Sequence, residues 1–258
     1  MSLSWRDDLR VGLFPDRLVI TRVPRGLAKR ATQKEIVPLA PGPADAPRWQ
    51  GAVDALAKLP GDAFKNADVT VVLSNFFVRY TVVPWSATLS GLEERLVFAR
   101  HCFTETYGVV AEGWVIRASP SSAGKPQLAC AVERELIEAV NQAMAATGAR
   151  FSSLQPQLMA SFNLYRKRFG DRPAWFVALE PGLACLALVQ GGHWQSMRTT
   201  QIGSEWPREL PVLLSREACL VEGAPDCNEV LVSAPDAPYA QLPDTGAWRI
   251  QDLAAQTV

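Results

Sequence analysis

Short apolar runs alternate with helical patterns along most of the chain. In the first half, two apolar runs flank a turn at Pro15-Asp16, which predicts a β-hairpin over 10–23. A continuous apolar run over 68–74 is typical of a strand that is buried on both faces of a parallel sheet. Further strands are predicted at 35–39, 76–84, 112–118, 127–132 and 150–154.

Helices are predicted where apolar residues recur every three to four positions. The segment from Ser90 to Tyr107 carries such a stripe and is followed by Gly108, and 133–147 carries another and is followed by Gly148. Glycine at these places is typical of a helix end. The remaining predicted helices are 47–59, 155–169 and 206–215, the last of them interrupted by Pro211.

The second half repeats the character of the first. Strands are predicted at 174–180, 183–190 and 193–200, then a helix, then a core strand at 229–233 and an edge strand at 248–253. Both halves therefore open as strand, tight turn, strand, third strand and helix. Strands that alternate with helices predict an α/β fold with mixed sheets.

Composition narrows the classes of function. The 258 residues are 48% hydrophobic and 20% charged, which is typical of a globular protein, and 26 basic residues balance 26 acidic ones. A dedicated nucleic-acid binder usually has a basic excess, so that class is excluded. The five cysteines include no C-x-x-C pair, and His101 and His193 are far apart, so we predict free thiols and no metal site. The sequence has neither a membrane-spanning run nor a signal peptide, so we expect a cytoplasmic protein.

The two predicted hairpins carry a family resemblance. Their sequences are Val11-Gly-Leu-Phe-Pro-Asp-Arg-Leu and Ala178-Leu-Glu-Pro-Gly-Leu-Ala-Cys. This arrangement resembles the actin-like superfamily (actin, hexokinase and Hsp70), whose two RNase H-like lobes with mixed sheets enclose a nucleotide cleft. The order of elements resembles more specifically the PilM-type proteins of type IV pilus assembly and the cytoplasmic GspL-type domains of type II secretion. The resemblance implies a first lobe at 1–168, with an inserted subdomain at about 76–132, and a reduced second lobe at 169–258.

The first turn departs from the superfamily pattern. In that superfamily each hairpin turn carries an acid that holds magnesium, and glycines whose N–H groups wrap phosphates. Phe14 stands where the acid is expected, between Gly12 and Asp16, and Pro15 removes a backbone donor. One magnesium ligand and part of the phosphate loop are therefore missing.

The second turn and the nucleoside turn are also incomplete. Glu180 and Gly182 remain in the second turn, but Pro181 again removes an N–H group. The Gly-Gly expected after the last core strand is replaced by Ser233-Ala-Pro-Asp236. These departures predict a degenerate cleft without nucleotide, metal or catalytic residues. As an alternative, Glu180 retains the metal of an ATP-binding switch or ATPase; from the residues alone, it is a strand-end acid in solvent.

The resemblance implies a scaffold that binds a short cytoplasmic peptide of a bitopic inner-membrane protein. Aromatic residues crowd the segment from Phe76 to Trp85, and strand alternation would place Phe77 and Arg79 on one open face. We therefore predict that this segment and the helix from Ser90 to Tyr107 line a groove for the partner, with contacts at Phe77, Arg79 and Trp85. In a rival interpretation the rings are all core and Arg79 forms a structural ion pair. The sequence leaves open the oligomeric state and the choice between pilus and secretion system.

Two basic features of the same region have ordinary explanations. Arg79, Arg95 and Arg100 form either a basic patch or a solvated helix face with Glu93 and Glu94 as partners. Gly124-Lys125 resembles the end of a phosphate loop, but the preceding residues do not fit that motif. The interpretation favoured for this pair is a hairpin turn.

Overall fold

The computed structural model describes residues 6–25, 31–43, 45–89, 91–221, 226–234 and 247–253. Ser90, which opens a predicted helix, and the predicted turn residues Pro235 and Asp236 lie outside the described residues. The chain divides into two compact units, Met1–Val78 with Val132–Ala160 and Arg79–Ala131 with Ser161–Val258. The predicted lobes at 1–168 and 169–258, with an insert at about 76–132, stay a prediction. No helix of the described residues is long and apolar enough to cross a bilayer.

The first unit contains a five-stranded mixed sheet. Its strands lie in the order β3-β2-β1-β4-β8, where β1 to β3 are antiparallel and β4 and β8 run parallel to β1. The predicted hairpin and core strand are confirmed. The bounds are β1 Asp7–Leu13, β2 Arg17–Val23, β3 Gln33–Pro38, β4 Ala67–Leu73 and β8 Arg150–Pro156.

Two helices of this unit pack against each other, α1 (Gln50–Ala57) and α3 (Arg134–Thr147). The indole N–H of Trp49, just before α1, donates to a carboxylate oxygen of Glu133, just before α3, at 2.6 Å. This bond ties the starts of the two helices together. The helix α3 ends at Gly148, whose φ of 65° is left-handed, as the sequence predicts for a helix-terminating glycine.

A three-stranded sheet of order β5-β7-β6 carries one long helix. A small core lies between them, in which Ala99 and Phe103 of the helix pack on Trp114, Ile116 and the alanines of β7. The helix begins after Gly91 and ends at Gly108, with φ 72°. The bounds are β5 Val78–Val83, α2 Leu92–Tyr107, β6 Trp114–Ala118 and β7 Gln127–Glu133.

The second unit contains a sheet with the same construction as the first. Its order is β11-β10-β9-β12-β13, with β9 to β11 antiparallel and β12 and β13 parallel to β9. The hairpins of the two halves lie in separate sheets at corresponding positions, as predicted. The bounds are β9 Ala174–Glu180, β10 Leu183–Gln190, β11 His193–Gln201, β12 Glu229–Ser233 and β13 Arg249–Asp252.

Both faces of the central strand β9 are buried, which explains its unbroken apolar run. Trp175 and Val177 point into the core formed with α5 (Trp206–Leu220). Between them, Phe176 points to the opposite face, where its ring lies 5.7 Å from that of Phe162. Phe162 belongs to α4 (Gln157–Tyr165).

The helix α5 continues to Leu220, five residues past its predicted end at 215. Pro211 lies inside it and lacks the N–H that would bond four residues back. Leu210 and Leu214 are fully buried against the sheet, and this burial holds the helix together across the missing bond.

Candidate functional site

The turn of the first hairpin is closed by its own backbone. The N–H of Phe14 donates to the carbonyl oxygen of Arg17 at 3.0 Å, and Pro15 has no N–H to offer. Of the backbone N–H groups that would face a phosphate in a glycine-rich turn, one is therefore already hydrogen-bonded and another is missing.

The side chains of this turn fill the space above it. The ring of Phe14 is 4% exposed and lies over Gly12, so closely that a Cβ on Gly12 would come within 2.8 Å of its Cε2. The Arg17 guanidinium covers the same ring, 4.5 Å from its centroid, and its Nη1 contacts Asp16 Oδ1 at 2.8 Å. The acid of the turn is thus paired with a neighbouring cation.

The second hairpin turn keeps more of the expected chemistry. Pro181 and Gly182 form a two-residue turn in which Gly182 has a φ of 85°, which suits glycine at the second central position. Glu180 is buried at the end of β9, so the expectation of a strand-end acid in solvent is wrong. The reason is that β9 is covered on both faces up to its last residue. Burial raises the pKa of the neighbouring Cys185 thiol, and the negative charge of Glu180 raises it further.

The predicted nucleoside turn is described only at its start. Ser233 and Ala234 are buried at the end of β12. Within the described ranges, no group of three or more histidine, cysteine, aspartate or glutamate side chains is placed to hold a metal ion. The side chains of His101 and Glu105, four positions apart on α2, lie 3.4 Å apart, and both are exposed.

The predicted partner-binding residues do not share one open face. Asn75–Phe77 form a turn of 3₁₀ helix, which interrupts the two-residue alternation before β5 begins. Phe77 is buried as a result, so its prediction as an open-face neighbour of Arg79 is wrong. Arg79 is exposed and Trp85 is 47% exposed, as is expected of residues that contact a partner.

Trp85 lies at a groove between the segment that ends there and α2, where the sequence predicted one, and the connection from β6 to β7 adds a side that was not predicted. Three segments line this groove, which we call the Trp85 groove: the end of β5 with the loop after it, the first turns of α2, and the connection from β6 to β7. Its principal lining residues are Trp85, Leu89, Arg95, Phe98, Ser121 and Lys125. An exposed indole, two cations and hydroxyl groups are brought together there.

Arg95 and Lys125 were each considered from the sequence, but they were not predicted to come together. Of the arginines in the candidate basic patch, Arg95 lines the groove, whereas Arg79 and Arg100 do not. The Glu94 carboxylate, a predicted partner, accepts the Gly91 N–H at 3.2 Å at the start of the helix. Lys125 belongs to a hairpin turn in which Gly124 has a φ of 78°, which confirms the interpretation of Gly124-Lys125 as a turn.

No family model matches the sequence, and no curated protein matches it. Many solved structures resemble the fold, among them three with TM-scores above 0.5. The PilM-PilN type IV pilus biogenesis complex gives a TM-score of 0.64 at 16% identity, over 95% of this chain and 88% of that one. The cytoplasmic domain of EpsL, an inner membrane component of the type II secretion system of Vibrio cholerae, gives 0.59 at 13% identity, over 95% and 89%.

The third structure is a protein of unknown function from Bacteroides thetaiotaomicron with an actin-like ATPase fold. It gives a TM-score of 0.57 at 9% identity, over 90% of this chain and 84% of that one. Two of the three come from the pilus and secretion systems to which the sequence resemblance pointed. Identities this low establish the fold alone, and the chain therefore has the actin-like α/β fold predicted from its sequence.

Proposed function

We propose that this chain is a non-catalytic cytoplasmic scaffold of a type IV pilus or type II secretion inner-membrane platform. It binds a short cytoplasmic peptide of a bitopic membrane protein and is held at the membrane through that partner. The observation that carries the proposal is the structural likeness to an EpsL cytoplasmic domain and to a PilM-PilN complex, each over 95% of this chain.

The first hairpin turn supports a scaffold rather than an ATPase. Because the Phe14 N–H is bonded within the turn and Pro15 has none, the turn offers few donors to an anionic phosphate. The acid of this turn, Asp16, is in addition paired with Arg17.

An ATP-binding switch is the second candidate function, and one observation favours it. Glu180 is buried at a strand end next to Gly182, where the superfamily resemblance places a metal-holding acid. In this alternative Glu180 keeps the magnesium ion although the first turn has lost its acid. Binding of ATP with magnesium separates the two candidates.

The partner surface of the scaffold includes Arg79 and Trp85. Both are exposed, and aromatic and arginine side chains dominate the binding energy of many interfaces. Phe77 is excluded from this surface because it is buried.

The experiment uses the full chain as bait on detergent-solubilised membranes of its own host, with captured proteins identified by mass spectrometry. We expect one bitopic protein of a pilus or secretion platform, and a synthetic peptide of its cytoplasmic segment should bind in calorimetry. If only soluble proteins, or only proteins of unrelated membrane systems, are captured, the scaffold proposal is wrong.

The matched variants are Trp85→Ala and Val212→Ala. Both remove an exposed apolar side chain, and Val212 lies on α5, away from the proposed surface in sequence. We expect Trp85→Ala to weaken binding of the peptide by about tenfold or more, the usual effect of losing an interface tryptophan. Val212→Ala should bind as the parent chain does.

A further inference from the structure

Arg95 is an unusual residue for its position. It stands in the first turns of α2, where the positive end of the helix dipole disfavours a cation. Its Nε is buried and has no hydrogen-bond partner, although the helix backbone around it is satisfied. Buried donors of a charged group are normally paired, so this N–H indicates a missing acceptor.

The acids nearest in sequence do not supply that acceptor. Glu94 uses its carboxylate on the Gly91 N–H, and Glu93 is exposed. Among the lining residues that the structure describes, the Trp85 groove has two cations, Arg95 and Lys125, and no carboxylate. Since the whole chain has a formal net charge of zero, the lining of the groove is more positive than the chain as a whole.

The rest of the groove lining is apolar or carries hydroxyl groups. Trp85 is half exposed, and Leu89 and Phe98 are partly exposed beside it. The hydroxyl groups of Ser86, Ser121 and Ser122 complete the lining. An occupant that fits these surfaces has an acceptor anion next to an apolar side chain.

We infer that the Trp85 groove binds a peptide segment in which an aspartate or glutamate lies beside a large apolar residue. The carboxylate accepts from the Arg95 guanidinium, and the apolar side chain packs on Trp85 and Phe98. This inference rests on the proposed scaffold function and names the chemistry of its partner peptide.

A membrane surface is a poorer match to the groove than such a peptide. Attraction to anionic lipids typically needs four to eight clustered cations, and two line this groove. A guanidinium also pairs with a carboxylate in a fixed planar geometry, which suits a single acid in a narrow site.

The test is selection of phage-displayed random linear peptides on the immobilised full chain. We expect enrichment of sequences with an acid one or two positions from leucine, isoleucine or phenylalanine. The best peptide is then synthesised with its acid and with the matching amide, and both are titrated into the parent chain, Arg95→Gln and Arg100→Gln. Arg100 is an exposed arginine of the same helix and serves as the control.

The acid peptide should lose about tenfold in affinity, roughly one charge-assisted hydrogen bond, on Arg95→Gln and none on Arg100→Gln. The amide peptide should bind the parent chain and Arg95→Gln equally. A consensus without an acid, or equal acid-peptide affinity for the parent chain and Arg95→Gln, would overturn the inference. Arg95-dependent binding to phosphatidylglycerol vesicles without peptide enrichment would overturn it in favour of lipid.

Failure of the scaffold proposal would look different. If membrane capture yields a bitopic protein whose cytoplasmic peptide binds the parent chain and Arg95→Gln equally, the scaffold stands and the groove inference falls. If acidic peptides bind through Arg95 but no platform protein is captured, the groove chemistry stands and the scaffold falls.

Discussion

At the tip of the first hairpin, the contact between Gly12 and Phe14 leaves no room for a side chain at position 12. A Cβ at Gly12 would lie 2.8 Å from Phe14 Cε2, and the ring is buried under the Arg17 guanidinium. The ring therefore has little room to retreat, and the glycine is required by side-chain packing rather than by a phosphate.

We expect Gly12→Ala to lower the free energy of unfolding by about 1–3 kcal/mol, because overpacking forces the ring off its position. In a Phe14→Leu background the same change should cost clearly less, since leucine has no ring edge there. Urea denaturation of the four chains measures this coupling. Gly113→Ala is the control, because a Cβ there meets nothing within 4 Å. Equal costs of Gly12→Ala in both backgrounds would show that the ring is not the obstacle.

The five cysteines differ in how readily they form thiolates. Burial raises the pKa of Cys130 to about 11 and that of Cys185 further, and also raises the pKa values of Cys102 and Cys227. A raised pKa keeps a thiol protonated and therefore unreactive until the pH approaches that value. Cys219 on α5 is exposed.

At pH 8 we expect maleimide to label Cys219 first, with Cys130 and Cys185 unlabelled until the chain is unfolded. At a pKa of about 11 the thiolate fraction of Cys130 at pH 8 is roughly one in a thousand. Mass spectrometry of peptides at increasing times gives the order, and Cys219→Ser should remove the fast phase. Early labelling of Cys185 in the folded chain would contradict its burial.

At the scale of elements, α5 contains two prolines in different roles. Pro207 lies in the first turn, where no backbone N–H is needed, whereas Pro211 lies inside the helix. The sequence predicted a helix over 206–215 that is interrupted by Pro211. It could not predict continuation to Leu220, since that depends on burial of Leu210 and Leu214 against another part of the chain.

Replacing Pro211 by alanine should raise the free energy of unfolding by about 1–2 kcal/mol. An interior proline costs a helix about 3 kcal/mol relative to alanine, and the greater freedom of the unfolded alanine chain offsets about 1 kcal/mol of the gain. Pro207→Ala should change the free energy of unfolding by less than about 0.5 kcal/mol, because a proline in the first turn of a helix is tolerated. Thermal unfolding of both variants provides the measurement, and a loss of stability in Pro211→Ala would show that the helix needs its proline.

At the scale of the whole molecule, the repeat of one sheet construction was predictable, whereas the lining of the groove was predictable only in part. Apolar runs, turn residues and helical spacing are local signals, and they predicted both hairpins and the core strands. The Trp85 groove joins residues 85, 95 and 125, whose meeting depends on tertiary packing. The prediction that Phe77 is exposed was wrong for a local reason: a short 3₁₀ turn shifts the two-residue alternation on which that prediction depended.

Nucleotide binding distinguishes a scaffold from an ATP-binding switch with the same fold. In each hairpin turn a proline removes a backbone N–H donor. In the first turn, the Phe14 ring also fills the space above the turn, and Arg17 pairs with Asp16. We therefore expect ATP with magnesium to bind the full chain no tighter than millimolar by calorimetry, a free energy of about −4 kcal/mol. Glu180→Gln should leave this weak binding unchanged, because no magnesium ion depends on that carboxylate in a scaffold. A micromolar, magnesium-dependent affinity that Glu180→Gln abolishes would instead identify the chain as an ATP-binding switch, with the buried Glu180 as its metal ligand.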